Sequence, residues 1–333
     1  MTTPLPPKTV LQHRYRVVEL IGLGGVGAVY LTEDLHLREK QFALKEIHYS
    51  PDADPESQRQ LREQFHREAI ALAHLDHPNL PKVTDYFSED GRDYLVMDYV
   101  AGPNLKEALD EARARGHNLP ERQVLDWAAQ ICDALAYLHG QDPPIIHRDV
   151  KPANVKLTPD DVVKLVDFGL VKFFDVSDPR TITLMHAVGT PTYAPLEQYG
   201  AGTGRTDVRS DIYALGATLY HLLAGRAPVN AQHRFLEPEI LPSVRSLNPR
   251  VSALTEYLIF KAMAIRPDER YQTVAELMRD LTMARNLSLR TRTQSGLALL
   301  WSSLLPHKWL SFGVLALLVL ALVMTIIQPE PVF

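Results

Sequence analysis

The chain has 333 residues, 46% of them hydrophobic and 23% charged, with a formal net charge of −5 and a pI near 6.2, an ordinary balance for a soluble globular protein. That charge, and the lack of a basic stripe, argue against nucleic acid as a partner. A single cysteine, Cys132, excludes an internal disulfide framework and fits a reducing compartment.

Residues 1–12 hold no basic segment followed by an apolar one, so no cleaved signal peptide is expected, and residues 1–14 read as an N-terminal extension. Residues 15–21 alternate imperfectly and run into Gly22-Leu23-Gly24-Gly25-Val26-Gly27-Ala28-Val29-Tyr30, a glycine-rich turn joining two strands. Glycines let backbone N–H groups approach phosphates closely, but on spacing alone this pattern also suits a dinucleotide fold or a plain hairpin. Phe42-Ala43-Leu44-Lys45-Glu46-Ile47 reads as a strand, residues 57–75 as a helix carrying Glu68, and residues 94–102 as a strand leaving the first half of the chain through Met97, Asp98 and Val100. Over residues 123–139, Val124, Ala128, Ile131, Leu135 and Leu138 recur at helical spacing, which makes Cys132 a small helix residue rather than a catalytic thiol.

The centre of the chain is His147-Arg148-Asp149-Val150-Lys151-Pro152-Ala153-Asn154, followed thirteen residues after Asn154 by Asp167-Phe168-Gly169. Apart from Lys164, residues 162–166 are apolar and mostly β-branched, so they form a strand that delivers Asp167 beside the loop. Moving a γ-phosphoryl group needs a proton-accepting oxygen, a cation against the developing charge, and oxygen ligands for magnesium; Asp149, Lys151, Asn154 and Asp167 supply that set. Residues 170–192 are rich in Ser, Thr and Asp and read as a mobile segment, after which Asp211 opens an apolar helix over 212–223 that Gly225 stops. Residues 285–308 form a linker mixing Arg285, Arg290, Arg292 and Lys308 with an apolar patch around Trp301. Residues 309–327 carry no charge over nineteen positions, the length of a single transmembrane helix. The basic residues all precede that span, so the positive-inside rule leaves the preceding domain in the cytoplasm and residues 328–333 as a short extracytoplasmic tail.

These motifs resemble, residue by residue, the catalytic loop and metal-binding motif of the eukaryotic-type protein kinases, the Hanks family, and Lys151, two after the Asp, resembles the serine/threonine branch. Val29 and Tyr30 continuing a strand, rather than starting a helix, match the kinase form of the glycine-rich turn. The resemblance covers about residues 15–284 and implies an α+β, two-lobed fold: a small β-rich lobe over about 15–97, a hinge at 98–102, and a larger helical lobe over about 103–284. By the resemblance Asp149 is the catalytic base, Lys151 meets the γ-phosphate, and Lys45 meets the α- and β-phosphates, oriented by an ion pair with Glu68. Asn154 and Asp167 hold magnesium or manganese. ATP lies under Gly22, Gly24 and Gly27, with Val29 and Ala43 above adenine, Met97 as gatekeeper, and the backbone of Asp98 and Val100 at the adenine edge. Arg148 can pair with a phosphate on Ser177, Thr181 or Thr183; Thr190 contacts the catalytic loop, Glu197 pairs with Arg270, and Asp211 anchors the loop backbone. Two positions depart from the family pattern: Lys156 stands where the pocket floor is commonly leucine, and Leu196 where proline is usual. The implied function is an ATP-dependent serine/threonine protein kinase of the bacterial membrane-anchored type, autophosphorylating, with Ser/Thr proteins as substrates and a homodimer as a further partner. The alternative is a pseudokinase scaffold that keeps the fold without turnover.

Overall fold

The computed structural model describes residues 3–24, 27–37, 39–47, 54–167, 191–199 and 206–287. Period-2 alternation builds the first lobe. Its strands are β1 (Val10–Leu11), β2 (Tyr15–Gly24), β3 (Gly27–Asp34), β4 (Gln41–Ile47), β5 (Val83–Glu89) and β6 (Arg92–Asp98), in one antiparallel sheet ordered β1-β2-β3-β4-β6-β5. On one face Tyr15, Val17, Ala28, Tyr30, Phe42, Leu44, Tyr94 and Val96 pack into a small core. Their neighbours Leu95 and Met97 turn the other way and join the large core, and Val29, Ala43 and Lys45 are half-buried on that same side. Residues before 15 are part of this sheet: Val10 pairs with Arg16 and Leu11 with Tyr15, and the Leu5 N–H donates to the Tyr30 hydroxyl.

Between β4 and β5, helix α1 (Pro55–Ala73) buries Phe65, Ala69 and Leu72. Among the described residues, the regular structure of the second lobe is helical apart from one hairpin. It contains α2 (Leu105–Ala114), α3 (Glu121–His139), β7 (Val155–Leu157) paired with β8 (Val163–Leu165), α4 (Val208–Ala224), α5 (Ala231–Leu236), α6 (Val244–Leu247) and α7 (Ala253–Ala262); residues 274–287 are also helical. The axis of this lobe is α4, in which every residue from Ser210 to Leu223 is buried, as expected of a helix apolar nearly all round. It starts earlier than its apolar run suggests, because the Asp207 side chain caps it by accepting from the Arg209 N–H. Asp211 therefore lies in the first turn rather than at the start, and Gly225, in the left-handed conformation, stops the helix.

Residues from Met1 to Ala284 form one compact unit and Arg285 to Phe333 a second. The proposed span at 309–327 lies outside the described residues, and among the described residues no helix is long and apolar enough to cross a membrane.

Helix α4 packs tightly against α7 at Gly216. A Cβ there would stand 2.8 Å from Ala262 Cβ and 2.9 Å from Met263 Cγ. Gly216→Ala is expected to lower the melting temperature, reflecting a packing cost of about 1–3 kcal/mol. Alanine is otherwise the better helix former by about 0.5–1 kcal/mol, so a rise in melting temperature would show that the helices part freely.

Candidate active site

The loop at 147–154 is held from below by α4. The Asp211 carboxylate, fully buried, accepts from the His147 N–H and the Arg148 N–H, both at 2.8 Å, and from His139 Nε2 at 2.9 Å. Arg148 has φ 64°, a left-handed backbone that costs an L-residue free energy and is kept by these bonds. Its guanidinium is held below its ordinary pKa by burial, with Asp211 and Glu68 opposing that fall, so Glu68 of α1 lies within electrostatic reach of the loop.

Above the anchor, polar side chains converge on one carboxylate. Lys151 Nζ donates to Asp149 Oδ2 at 2.8 Å, and Asn154 Nδ2 donates to the same oxygen at 2.8 Å and to the Asp149 carbonyl at 2.9 Å. The Asn154 amide nitrogen is thus spent on Asp149, and its Oδ1 has no protein partner among the described residues. The Val166 N–H donates to the Asn154 carbonyl at 2.9 Å, which ties the end of β8 to the loop and sets Asp167 beside it. Asp167 also has a left-handed φ of 61°, and its Oδ1 meets the ammonium of Lys45 from the small lobe. Asp149, Asn154 and Asp167 are hard oxygen donors of the kind a divalent cation such as magnesium selects, and the Asn154 orientation leaves the carbonyl for it.

Strand register assembles the small-lobe side. Gly22 pairs with Val29, Val29 with Lys45, and Ala43 with Met97, so the residues expected over a nucleotide are neighbours on one patch of sheet. Gly27 has no room for a side chain: a Cβ there would lie 1.9 Å from the Glu46 carbonyl oxygen. The connector carries Asp98 and Val100 toward α2, and Lys156 of β7 bridges Asn104 at the start of that helix. The structure thus brings together Lys45, Asp149, Lys151, Asn154 and Asp167. Phe168, Gly169, Ser177, Thr181, Thr183 and Thr190 lie outside the described residues.

Residues 191–199 pack against the loop, since Tyr193 and Ala194 line a small cavity with Arg148, Asp149 and Val150. Glu197 and Arg270 form a buried bidentate pair at 2.6 and 3.1 Å, and Leu196 is half-buried against the core. The remaining guanidinium donors are all used: Arg270 donates to the carbonyls of Ala264, Ile265 and Arg209, and Ser210 Oγ adds a bond to Glu197 at 2.8 Å. A second buried contact had no sequence signal: the Tyr193 hydroxyl donates to His221 Nδ1 at 2.6 Å. Burial lowers the His221 pKa to about 4, against an ordinary 6.5, so the ring is neutral and free to accept. His139 also went unread, because a histidine ending a helix carries no sign of the carboxylate it meets.

The protein kinase domain family matches residues 15–290. Curated relatives include the serine/threonine-protein kinase Pkn1 of Myxococcus xanthus, 35% identical over 306 residues, with 86% of this chain and 41% of that protein covered. PrkC of Bacillus subtilis is 36% identical over 281 residues (82% and 41% covered), and PknB of Mycobacterium tuberculosis 34% over 297 residues (86% and 44%). The chain spans about two fifths of the length of these relatives. Among solved structures, the PknI kinase domain of Mycobacterium tuberculosis superposes with a TM-score of 0.64 at 29% identity, covering 84% of this chain and 100% of that one. The PpkA-294 apo form, at 24% identity and a TM-score of 0.68, shares the fold.

Two outcomes test this geometry. Arg270→Met leaves Glu197 charged and buried, and is expected to destabilise by about 3–5 kcal/mol in a denaturant titration. For His221, the unfolded chain binds a proton near pH 6.5 and the folded chain near 4. The unfolded state holds more protons between those values, so stability is full above about pH 6.5, declines as pH falls toward 4, and is flat below. The loss is up to about 3 kcal/mol; His221→Gln, measured by denaturation across that range, should remove this part of the slope.

Proposed function

We propose a bacterial signalling enzyme, and the premise is that this chain belongs to the protein kinase domain family. The reading is an ATP-dependent serine/threonine protein kinase that transfers the γ-phosphoryl group to hydroxyls of protein substrates. One observation carries it: Asp149, fixed by Lys151 and Asn154, faces the same cleft as Lys45 and Asp167. In the reaction the substrate oxygen bonds to the γ-phosphorus as the bond from that phosphorus to the β–γ bridging oxygen breaks, leaving ADP, and the hydroxyl proton passes to Asp149. Lys151 stays beside the base and balances charge on the transferring group. Lys45 orients the α- and β-phosphates, and Glu68 is the partner assigned to hold Lys45 in turn. Asn154 and Asp167 would hold a magnesium or manganese ion, which would supply charge neutralisation at the phosphates.

The names of the relatives support the serine/threonine assignment. Autophosphorylation is placed on Ser177, Thr181 or Thr183, with Arg148 as the phosphate's partner and Thr190 as a contact to the loop. The kinase unit is assigned to residues 15–284, followed by the linker at 285–308. Residues 309–327 anchor it as a single-pass membrane protein, on the strength of their length, lack of charge and flanking basic residues. The kinase unit is then cytoplasmic, and the membrane holds copies close enough to dimerise.

The test is transfer of labelled phosphate from ATP with magnesium by the 333-residue chain, beside Asp149→Asn. The variant should keep its melting temperature and lose about 10²–10⁴-fold in rate. Mass mapping should find label on the 177–183 cluster in the wild type alone. Wild-type protein that binds ATP and transfers nothing, to itself or to a basic protein substrate, would establish the pseudokinase reading instead.

A further inference from the structure

The connector between the lobes also borders a cavity of about 320 Å³, the size of a small-molecule site. Three stretches of chain meet there: Lys40 and Gln41 where β4 begins, the connector from Asp98 to Ala101, and the β7–β8 hairpin through Thr158, Pro159 and Lys164. Among the described residues that line it, none is Lys45, Asp149, Asn154 or Asp167, and only Asp98 and Val100 are shared with the nucleotide assignment. Pro81, Val100 and Pro159, with the half-buried Tyr99, give the cavity an apolar lining.

The charges around it do not balance. Lys40 Nζ lies 3.9 Å from Asp98 Oδ1 and 4.9 Å from the centre of the Phe42 ring, so the aspartate and that lysine answer each other. Lys164 has no such partner. It is half-buried, its ammonium meets the Leu80 carbonyl at 3.3 Å, and among the described residues no carboxylate pairs with it. An ammonium has three protons to donate, so two remain. The register of the hairpin sets Lys156 directly opposite Lys164, and like charges so placed oppose strand pairing. An anion beside Lys164 relieves that repulsion. A second donor stands on the same turn: Thr158 Oγ1 accepts from the Val162 N–H at 3.1 Å, and the hydroxyl keeps its own proton to give.

We infer that this cavity binds a small monocarboxylate with an apolar, ring-sized body. The carboxylate pairs with Lys164 and accepts from the Thr158 hydroxyl, and the body lies against Tyr99, Val100 and Pro159. One unmatched cation in the lining favours a single negative charge over a phosphate dianion, whose second charge would face Asp98. The site stands apart from the reading of the cleft as an ATP site and does not fail with it.

The test is titration of 1-naphthoate into the 333-residue chain, followed by ligand-observed NMR, beside 1-naphthamide, acetate and 1-naphthyl phosphate. The naphthoate should bind most tightly, because the amide lacks the charge, acetate lacks the body and the phosphate carries a charge too many. Lys164→Met and Lys164→Gln keep a stem of similar length and should each weaken naphthoate by about 3- to 20-fold, while Lys164→Arg should keep it. Ala101→Phe leaves every charge in place and fills the cavity, so it should abolish binding; melting temperatures show that each variant is folded. Naphthoate affinity that is unchanged in the Met and Gln variants overturns the inference, since the charge then does nothing. Binding that survives Ala101→Phe puts the ligand elsewhere and overturns it too, as does tighter binding of the amide or the phosphate.

Discussion

The buried carboxylate of Asp211 is the constraint on which the rest of the cleft depends. Taking a carboxylate out of water costs several kcal/mol unless its lone pairs are met, and here three donors meet them. Two of the three are successive backbone N–H groups, which converge on one anion where the chain turns through a left-handed residue. Arg148 is that residue. The position of Asp211 in the first turn of α4 adds the favourable end of the helix dipole. The loop is therefore fixed to the most deeply buried helix of the lobe, and Asp149, Lys151 and Asn154 inherit that rigidity within a few residues.

The other side of the cleft is positioned by sheet register and reaches across through Lys45 to Asp167. That contact is coupled to α1 by the segment just after it. The Asn79 side chain donates to the Val163 carbonyl, the Asn79 carbonyl accepts from the Leu165 N–H, and the Leu80 carbonyl faces Lys164. The strand that ends in Asp167 is thus bound to the exit of α1, the helix that carries Glu68.

Much of this was legible in the sequence because it follows from short-range rules. Strand patterning pointed to β2, β4 and β6, helical spacing to α3, and the 147–154 and 167 spacing located the acids. The pairing of Glu197 with Arg270, 73 residues apart, could be anticipated from the family pattern but not from either residue's surroundings. The sequence was silent where a partner is chosen by packing alone. His221 lies in a helix that reads as uniformly apolar, and no local feature names Tyr193 as its neighbour. Residues 1–14 read as an extension because Val10 and Leu11 form a strand too short to show alternation and exist only by pairing with β2. The capping role of Asp207 was hidden by the apolar run that begins after it.

Residues 191–199 show why polar pairs are buried in a lobe that could have used apolar ones. The segment has only two short turns of helix, at Pro191–Tyr193 and Leu196–Gln198, so regular backbone bonding cannot define its position. A buried ion pair is weak evidence of stability, since well-packed apolar residues of the same volume often do as well. Its distinguishing property is geometric: the fork of Arg270 fits the Glu197 carboxylate in one arrangement, and its other donors are committed to Ala264, Ile265 and Arg209. The bond from Tyr193 to His221 fixes the same segment at its other end. Two such contacts locate a stretch of chain with little structure of its own, and that stretch borders Arg148, Asp149 and Val150. An error of about 1 Å in the placement of reacting groups can cost on the order of 10²-fold in rate, so the accuracy these pairs provide bears directly on how a substrate hydroxyl would approach Asp149.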